Sequence, residues 1–359
     1  MPARLLQGSD AVARAAIEAG CRFFAGYPML PFTDLLEAMA RLMPAVDGVC
    51  MNAETEIEAV NMALGAGAAG ARAATGSCGQ GIALMQEAIA EAALNEVPFV
   101  VFNMARGQQD YFQATRGGGW GDYRTICLAP KDVTEAVEHT QLLFHLADQY
   151  RAPVMMYGDY LISHTYMSVD VERRDYGPLP PKDWALDGSK GGTGASRQIW
   201  TWAMGKANDP GPGPDRHWQR IAGKFEEAAR AEQRWEALDC EDAETVVVSF
   251  GTAGAFVEQV VAELREAGHR VGAFRPISLW PFPEEALADA CRGARQVLVF
   301  EVNAGQMIDD VRLSVGPLGV PVRPLGRVSI DFSGMRQGEI LTVGWIRDRV
   351  RAAMEEVPA

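Results

Sequence analysis

Short apolar runs alternate with longer amphipathic segments along the first 160 residues of the chain. Five apolar runs have the length and the bounding residues of buried strands. They lie at 23–27, 48–51, 71–75, 98–105 and 153–158. The segments between them repeat apolar residues at helical spacing, as in DAVARAAIEA and VTEAVEHTQLLFHLADQY. Strands that alternate with helices predict a parallel sheet covered by helices on both faces.

The pattern changes in the middle of the chain. Residues 176 to about 215 are dense in Gly and Pro, which predicts a connecting segment, and FEEAARAEQRWEAL (225–238) predicts a charged helix. From Glu244 the alternation of strands and helices resumes. We therefore predict an α/β fold with a parallel-sheet domain over 1–185, a linker and charged helix over 186–240, and a second, smaller parallel-sheet domain over 241–359.

Composition and charge narrow the class of protein. The chain has 33 Lys and Arg against 47 Asp and Glu, a formal net charge of −14, which argues against non-specific binding to nucleic acid. No uncharged apolar run approaches the roughly 18–20 residues that span a bilayer, and the N-terminus does not resemble a secretory signal. The six cysteines contain no CxxC pair, so we predict reduced thiols, no metal site and a cytoplasmic location.

Two regions of the chain carry candidate chemistry, a cluster of three glutamates and one arginine. Glu54, Glu56 and Glu58 follow an apolar strand at a predicted helix start, where carboxylates either cap the helix or, if one is buried, exchange a proton. Arg106 ends the fourth predicted strand, and ligands bind at that end of open parallel sheets. A solvated surface arginine is the alternative. The residues alone thus indicate an α/β protein with an anion or cofactor site.

A resemblance to a known family extends this interpretation. GYPMLP (26–31), followed by a helix that begins with glutamate, resembles the alpha subunit of 2-oxoacid:ferredoxin oxidoreductases. Further segments match in order along essentially the whole chain. They are AETEIEAVNMALGAGAAGARAATGS (53–77), QDYFQATRGGGWGDYRTICLAP (109–130), AFRPISLWPFPEEAL (273–287) and EVNAGQMIDDVRL (301–313). DYFQAT together with RPISLWPFP is similar to the branched-chain (3-methyl-2-oxobutanoate) type.

The resemblance implies a cofactor and a set of site residues. The first domain would be the pyrimidine-binding domain of a thiamine-diphosphate enzyme, and the second would be transketolase C-terminal-like. The glutamate that promotes ionisation of the cofactor falls on Glu54, which would need shielding from water. Tyr27, Pro28 and Ser77 would line the cofactor, and Arg106 would bind the substrate carboxylate.

The resemblance also implies partner subunits. The sequence lacks the GDG…N motif that carries diphosphate and Mg²⁺, so a beta subunit would supply it. Iron–sulfur clusters and the coenzyme A site would lie on partners, among them a gamma subunit and a ferredoxin-like subunit or ferredoxin. No nucleic acid and no membrane is expected as a partner.

Two departures from the family pattern concern the substrate. Leu30 replaces the Thr of GYPITP, and the segment between Arg106 and DYFQAT is shorter than in relatives. We therefore expect oxidative decarboxylation of a branched-chain or aromatic 2-oxoacid to an acyl-CoA and CO₂. The alternatives are an indolepyruvate or phenylglyoxylate oxidoreductase subunit and a non-catalytic scaffold subunit. A dinucleotide-binding dehydrogenase is disfavoured because its glycine fingerprint is missing.

Overall fold

The structure, a computed structural model, describes residues 3–186, 188, 213–326 and 342–356. The helices are α1 (Gly8–Glu18), α2 (Thr33–Leu42), α3 (Glu56–Ala68), α4 (Gln80–Leu94), α5 (Tyr111–Thr115), α6 (Val133–Tyr150), α7 (Tyr160–His164), α8 (Gly213–Ala231), α9 (Gly251–Glu266), α10 (Glu284–Ala290), α11 (Ile308–Val315) and α12 (Val343–Glu355). The strands of the first half are β1 (Arg4–Gln7), β2 (Phe23–Gly26), β3 (Val49–Asn52), β4 (Ala73–Ser77), β5 (Phe99–Ala105), β6 (Ile126–Leu128), β7 (Pro153–Asp159) and β8 (Tyr166–Val169). Those of the second half are β9 (Trp235–Leu238), β10 (Thr245–Val248), β11 (Val271–Pro276), β12 (Ser278–Trp280), β13 (Gln296–Val299) and β14 (Val322–Pro324).

The first sheet has seven strands in the order β12-β6-β7-β5-β4-β2-β3. Every pair from β6 to β3 is parallel. Between successive strands a helix carries the chain back to the end of the sheet at which the strands begin. Strands β4 and β5 are buried along their whole length at the centre. The predicted parallel sheet is therefore confirmed, and the carboxyl ends of β2, β3, β4 and β5 lie at one rim.

The second sheet has five strands in the order β14-β13-β10-β11-β9. Four of them are parallel, and the edge strand β9 pairs antiparallel with β11. The sequence predicted residues 235–238 as the end of a charged helix, and this was wrong. The helix ends at Ala231, and the next residues form β9 because a free sheet edge offers them backbone partners.

The two halves are joined along a sheet edge. Strand β12, which follows β11 after one residue, leaves the second sheet and pairs antiparallel with β6 at the edge of the first. Residue 187 and residues 189–212 of the predicted linker lie outside the described residues. Strands β1 and β8, which the pattern did not predict, form a separate antiparallel pair. Within the described ranges, no helix combines the length and the apolar character needed to cross a bilayer.

Candidate functional site

Four segments meet at the carboxyl rim of the first sheet. They follow β2, β3, β4 and β5 directly, at positions 27–31, 53–56, 78–81 and 106–110. Neighbouring parallel strands end side by side, so residues far apart in the sequence become neighbours here. The rim is thus the place where the candidate residues of the sequence are brought together.

Glu56 is the shielded carboxylate of this rim. It is the first residue of α3, which Thr55 caps by accepting a hydrogen bond from the Glu58 amide at 3.3 Å. Only 3% of Glu56 is exposed, and Ser77 Oγ donates to its Oε1 at 3.1 Å. A methyl group at Gly81 would lie 2.4 Å from Glu56 Oε1 and 2.0 Å from Ser77 Oγ. The glycine therefore leaves the space that this pair occupies.

Glu54, in contrast, is exposed. It precedes α3, and its backbone N–H donates to Glu58 Oε2 at 2.8 Å. The sequence prediction placed on Glu54 the role that needs shielding from water, but this chain shields Glu56 and leaves Glu54 in solvent. The reason is that α3 begins at Glu56, two residues later than predicted, which turns the second glutamate toward the sheet.

Arg106 and Leu30 are in direct contact. Arg106 Nε donates to the Leu30 carbonyl at 2.9 Å, and Cys78 Sγ lies 3.2 Å from the same oxygen. Leu30 is 63% exposed, so it lies at the surface of the rim. Burial raises the pKa of the Cys78 thiol to about 11, which keeps it protonated as a weak donor at neutral pH.

The other predicted site residues lie at the same rim. Tyr27 and Pro28 follow β2 directly and are exposed there. Ser77 is fully buried at the end of β4. The structure thus brings Tyr27, Pro28, Leu30, Ser77 and Arg106 to one rim, and their individual roles stay predictions.

Asp110 is a residue of the rim that the sequence analysis did not single out. Its Oδ2 accepts from the Gly79 amide at 2.9 Å, and its own amide donates to Tyr157 Oη at 3.2 Å. Burial raises the pKa of this carboxyl group. The available sequence signal was its place shortly after Arg106, at the start of the DYFQAT segment. Asp110 ties that segment to the turn before α4.

The rim fits the pyrimidine half of a thiamine cofactor. Such a group needs a carboxylate shielded from water, and Glu56 provides one at the carboxyl ends of the strands. Its Oε1 already accepts from Ser77, and no described residue donates to its Oε2, which leaves that oxygen for a ligand. In the part of the chain that the structure describes, no group of three or more His, Cys, Asp or Glu side chains forms a metal cluster.

Two known protein families match this chain. Residues 14–183 match the family described as pyruvate flavodoxin/ferredoxin oxidoreductase, thiamine-diphosphate-binding. Residues 243–328 match the pyruvate:ferredoxin oxidoreductase core domain II. The first match covers all four segments of the rim.

Individual relatives agree with these models. The 2-oxoglutarate synthase subunit KorA of Methanothermobacter thermautotrophicus is 35% identical over 350 residues, covering 89% of this chain and 93% of the relative. The ketoisovalerate oxidoreductase subunit VorB of Methanothermobacter marburgensis is 32% identical, covering 88% of this chain and 91% of the relative.

A solved structure has the same fold. The 2-oxoglutarate:ferredoxin oxidoreductase from Magnetococcus marinus superposes with a TM-score of 0.83 at 24% identity, covering 98% of this chain and 65% of that chain. The α/β architecture of two parallel-sheet domains predicted from the sequence is confirmed. Together, the family models and the relatives show that this chain belongs to the 2-oxoacid:ferredoxin oxidoreductases, as an alpha subunit with a thiamine-diphosphate-binding domain.

Proposed function

We propose that the enzyme containing this subunit oxidises a branched-chain or aromatic 2-oxoacid to an acyl-CoA and CO₂, with electrons passing to ferredoxin. The observation that carries the proposal is the hydrogen bond from Arg106 to the backbone carbonyl of Leu30, which brings a guanidinium to an exposed leucine at the rim. An exposed leucine whose backbone binds an arginine suits a substrate that has a carboxylate at one end and an apolar side chain at the other.

The two side chains would divide the recognition of such a substrate. Among the described residues, the guanidinium of Arg106 donates only its Nε hydrogen, so its two terminal nitrogens would be available as paired donors to a substrate carboxylate. Leu30 buries apolar area against the substrate side chain, at about 0.8 kcal/mol per methylene. Pyruvate offers little such area, and the second carboxylate of 2-oxoglutarate would lose solvation beside the isobutyl group.

Glu56 would serve the cofactor. When bound, thiamine diphosphate supplies the nucleophilic carbon that attacks the 2-oxo group. The carboxylate of Glu56 would accept a hydrogen bond at the aminopyrimidine ring and help to move its proton, with Ser77 holding the other carboxylate oxygen in place. Tyr27 and Pro28 would line the ring. This assignment replaces the one made to Glu54 from the sequence, because Glu54 is exposed.

Partner subunits would complete the site. The chain lacks the motif for diphosphate and Mg²⁺, so a beta subunit would carry both, while a gamma subunit and a ferredoxin-like subunit would provide for coenzyme A and the iron–sulfur clusters. Ile57 of α3 and Leu84 of α4 are about half exposed next to the rim, which gives the beta subunit an apolar surface. All six cysteines are free thiols, which supports a cytoplasmic location.

Measurement of substrate preference tests the proposal. The native complex is purified, its subunits and bound cofactor are identified, and kcat/KM is measured for pyruvate, 2-oxoglutarate, 3-methyl-2-oxobutanoate, phenylglyoxylate and indolepyruvate. We expect a branched or aromatic substrate to be preferred by roughly 10–200-fold, the range of shape discrimination in apolar pockets. In Leu30→Thr this preference should shrink. A wild-type complex that favours pyruvate or 2-oxoglutarate would contradict the proposal.

2-Oxoglutarate is the second candidate substrate, because the relative at 35% identity is named for it. An unchanged profile in Leu30→Thr would show that this side chain does not set the preference, whichever substrate is used.

A further inference from the structure

Gln108 connects the rim of the first sheet to the second domain. It lies two residues after Arg106 and is only 6% exposed. Its side chain bonds to second-domain backbone on both sides: Nε2 donates to the Phe250 carbonyl at 3.0 Å, and Oε1 accepts from the Val302 amide at 2.6 Å. A buried amide with both ends satisfied has a single favourable position.

The backbone of Gln108 makes the same connection. Its carbonyl accepts from Asn303 Nδ2 at 2.7 Å, and its amide donates to the Val302 carbonyl at 3.5 Å. Phe250 and Val302 follow the ends of β10 and β13, which are neighbours at the centre of the second sheet. Gln108 is therefore inserted between two strand ends of the other domain.

The segment on either side of Gln108 carries site residues. Arg106, on one side, holds the Leu30 carbonyl. Asp110, on the other side, accepts from the Gly79 amide in the turn that follows Ser77. With only one residue between Gln108 and each of them, a displacement of Gln108 moves both contacts.

We propose that Gln108 is a positioning residue, through which the second domain fixes Arg106 for the substrate carboxylate. The inference rests on the proposed function of Arg106. Gln108 itself does not touch the substrate. It transmits the placement of β10 and β13 to the substrate-side arginine, so that the two domains must be docked for the arginine to be correctly placed.

The matched variants are Gln108→Ala and Gln109→Ala, both in the assembled complex. Gln108→Ala removes the two side-chain bonds, whereas the Gln109 side chain is exposed and its interdomain contact, from Gln306 Nε2 at 2.9 Å, is made by its carbonyl. We expect Gln108→Ala to raise KM for the 2-oxoacid roughly tenfold, as suits the loss of buried hydrogen bonds, with KM for coenzyme A unchanged. Gln109→Ala should behave as wild type. A Gln108→Ala complex with wild-type KM for the 2-oxoacid would overturn the inference.

Gln108→Glu is a second variant that tests the inference even if Gln108→Ala does not assemble. A glutamate keeps the shape and the bond from the Val302 amide, and when protonated it can also donate to the Phe250 carbonyl. Burial raises the pKa of such a carboxyl group, so KM should approach the wild-type value as the pH falls from 8 to 6. A KM ratio between this variant and wild type that does not change with pH would count against the inference.

A double mutant separates this inference from the proposed function. If Gln108 acts through Arg106, the effect of Gln108→Ala on KM should vanish in an Arg106→Ala background. Full additivity would overturn the positioning role while leaving the role of Arg106 intact. If Arg106→Ala does not change KM, the proposed function of Arg106 fails first. Independently of turnover, hydrogen exchange at residues 106–110 and at Gly79 should be faster in Gln108→Ala than in Gln109→Ala, and equal rates would contradict the connection.

Discussion

Ser77 Oγ donates a 3.1 Å hydrogen bond to Oε1 of Glu56 and so joins the end of β4 to the first turn of α3. Both residues are buried at the carboxyl rim of the first sheet. The contact fixes one carboxylate oxygen and leaves the other for a ligand. It also distinguishes Glu56 from Glu54, which the sequence alone could not do.

Glu56→Gln should lower turnover of the assembled complex by about 10²-fold or more, because the amide keeps the shape but cannot accept the proton. Subunit assembly should be unaffected, since Ser77 can still donate to the amide oxygen. The measurement is kcat at saturating substrate, with subunit composition checked by gel filtration.

Glu54→Gln is the matched control for that experiment. It changes an exposed glutamate two residues away and should keep near-normal turnover. The reverse result, with Glu54→Gln inactive and Glu56→Gln active, would return the role to Glu54.

Gly81→Ala should weaken thiamine diphosphate binding by the complex roughly tenfold or more. The added methyl group would overlap Ser77 Oγ and Glu56 Oε1. The side chains and backbone must shift to accommodate it, which typically costs about 1–3 kcal/mol. Cofactor titration measures the effect. In Gly223→Ala, on α8, the added methyl group meets nothing within 4 Å, so cofactor binding should stay at the wild-type level. Equal affinities in the two variants would be evidence against the packing argument.

Glu96 should make the stability of the chain sensitive to acid. Burial by itself would raise its pKa, but Lys224, Arg151 and Arg220 outweigh burial and hold the pKa at about 2. Because the pKa is lower in the folded than in the unfolded state, the stabilisation is present above about pH 4.5 and is lost as the pH falls toward 2. At neutral pH the charged form of Glu96 therefore stabilises the folded chain.

Thermal unfolding of Glu96→Gln tests this. The variant should unfold at a lower temperature than wild type at pH 7, and the difference should shrink at pH 3. Glu226→Gln, which changes an exposed glutamate on α8, should follow wild type at both pH values. A difference between Glu96→Gln and wild type that grew on acidification would have the wrong sign.

The isolated chain should bind thiamine diphosphate poorly and show no 2-oxoacid oxidation. Glu56 would serve only the pyrimidine ring, and the motif for diphosphate and Mg²⁺ is absent from the sequence. Calorimetry on the isolated chain, with the native complex as the positive control, measures this directly. Micromolar binding by the isolated chain would show that it carries a diphosphate site of its own.

The order of apolar and amphipathic segments was enough to predict the α/β class and the strands that end at the rim. The apolar runs at 23–27 and 98–105 predicted β2 and β5 to within one residue at each end, because strands that are buried on both faces have continuous apolar sequences. The GYPMLP and AETEIEA segments also identified the family, since their residues lie where the strands end. Local patterns carry this information because they reflect contacts within one element.

Packing between different elements, in contrast, sets which residues meet and which of two glutamates is shielded. Glu54 and Glu56 have nearly the same local sequence, and only the packing of α3 against β4 buries the second one. Residues 235–238 became the strand β9 because a free edge of the second sheet was available. Arg275, which is 2% exposed, is held by Glu135 of the first half and Glu258 of the second. The contact between Arg275 and Glu135 joins positions 140 residues apart, and its energy depends on how the two sheets are docked, which no periodicity along the chain records.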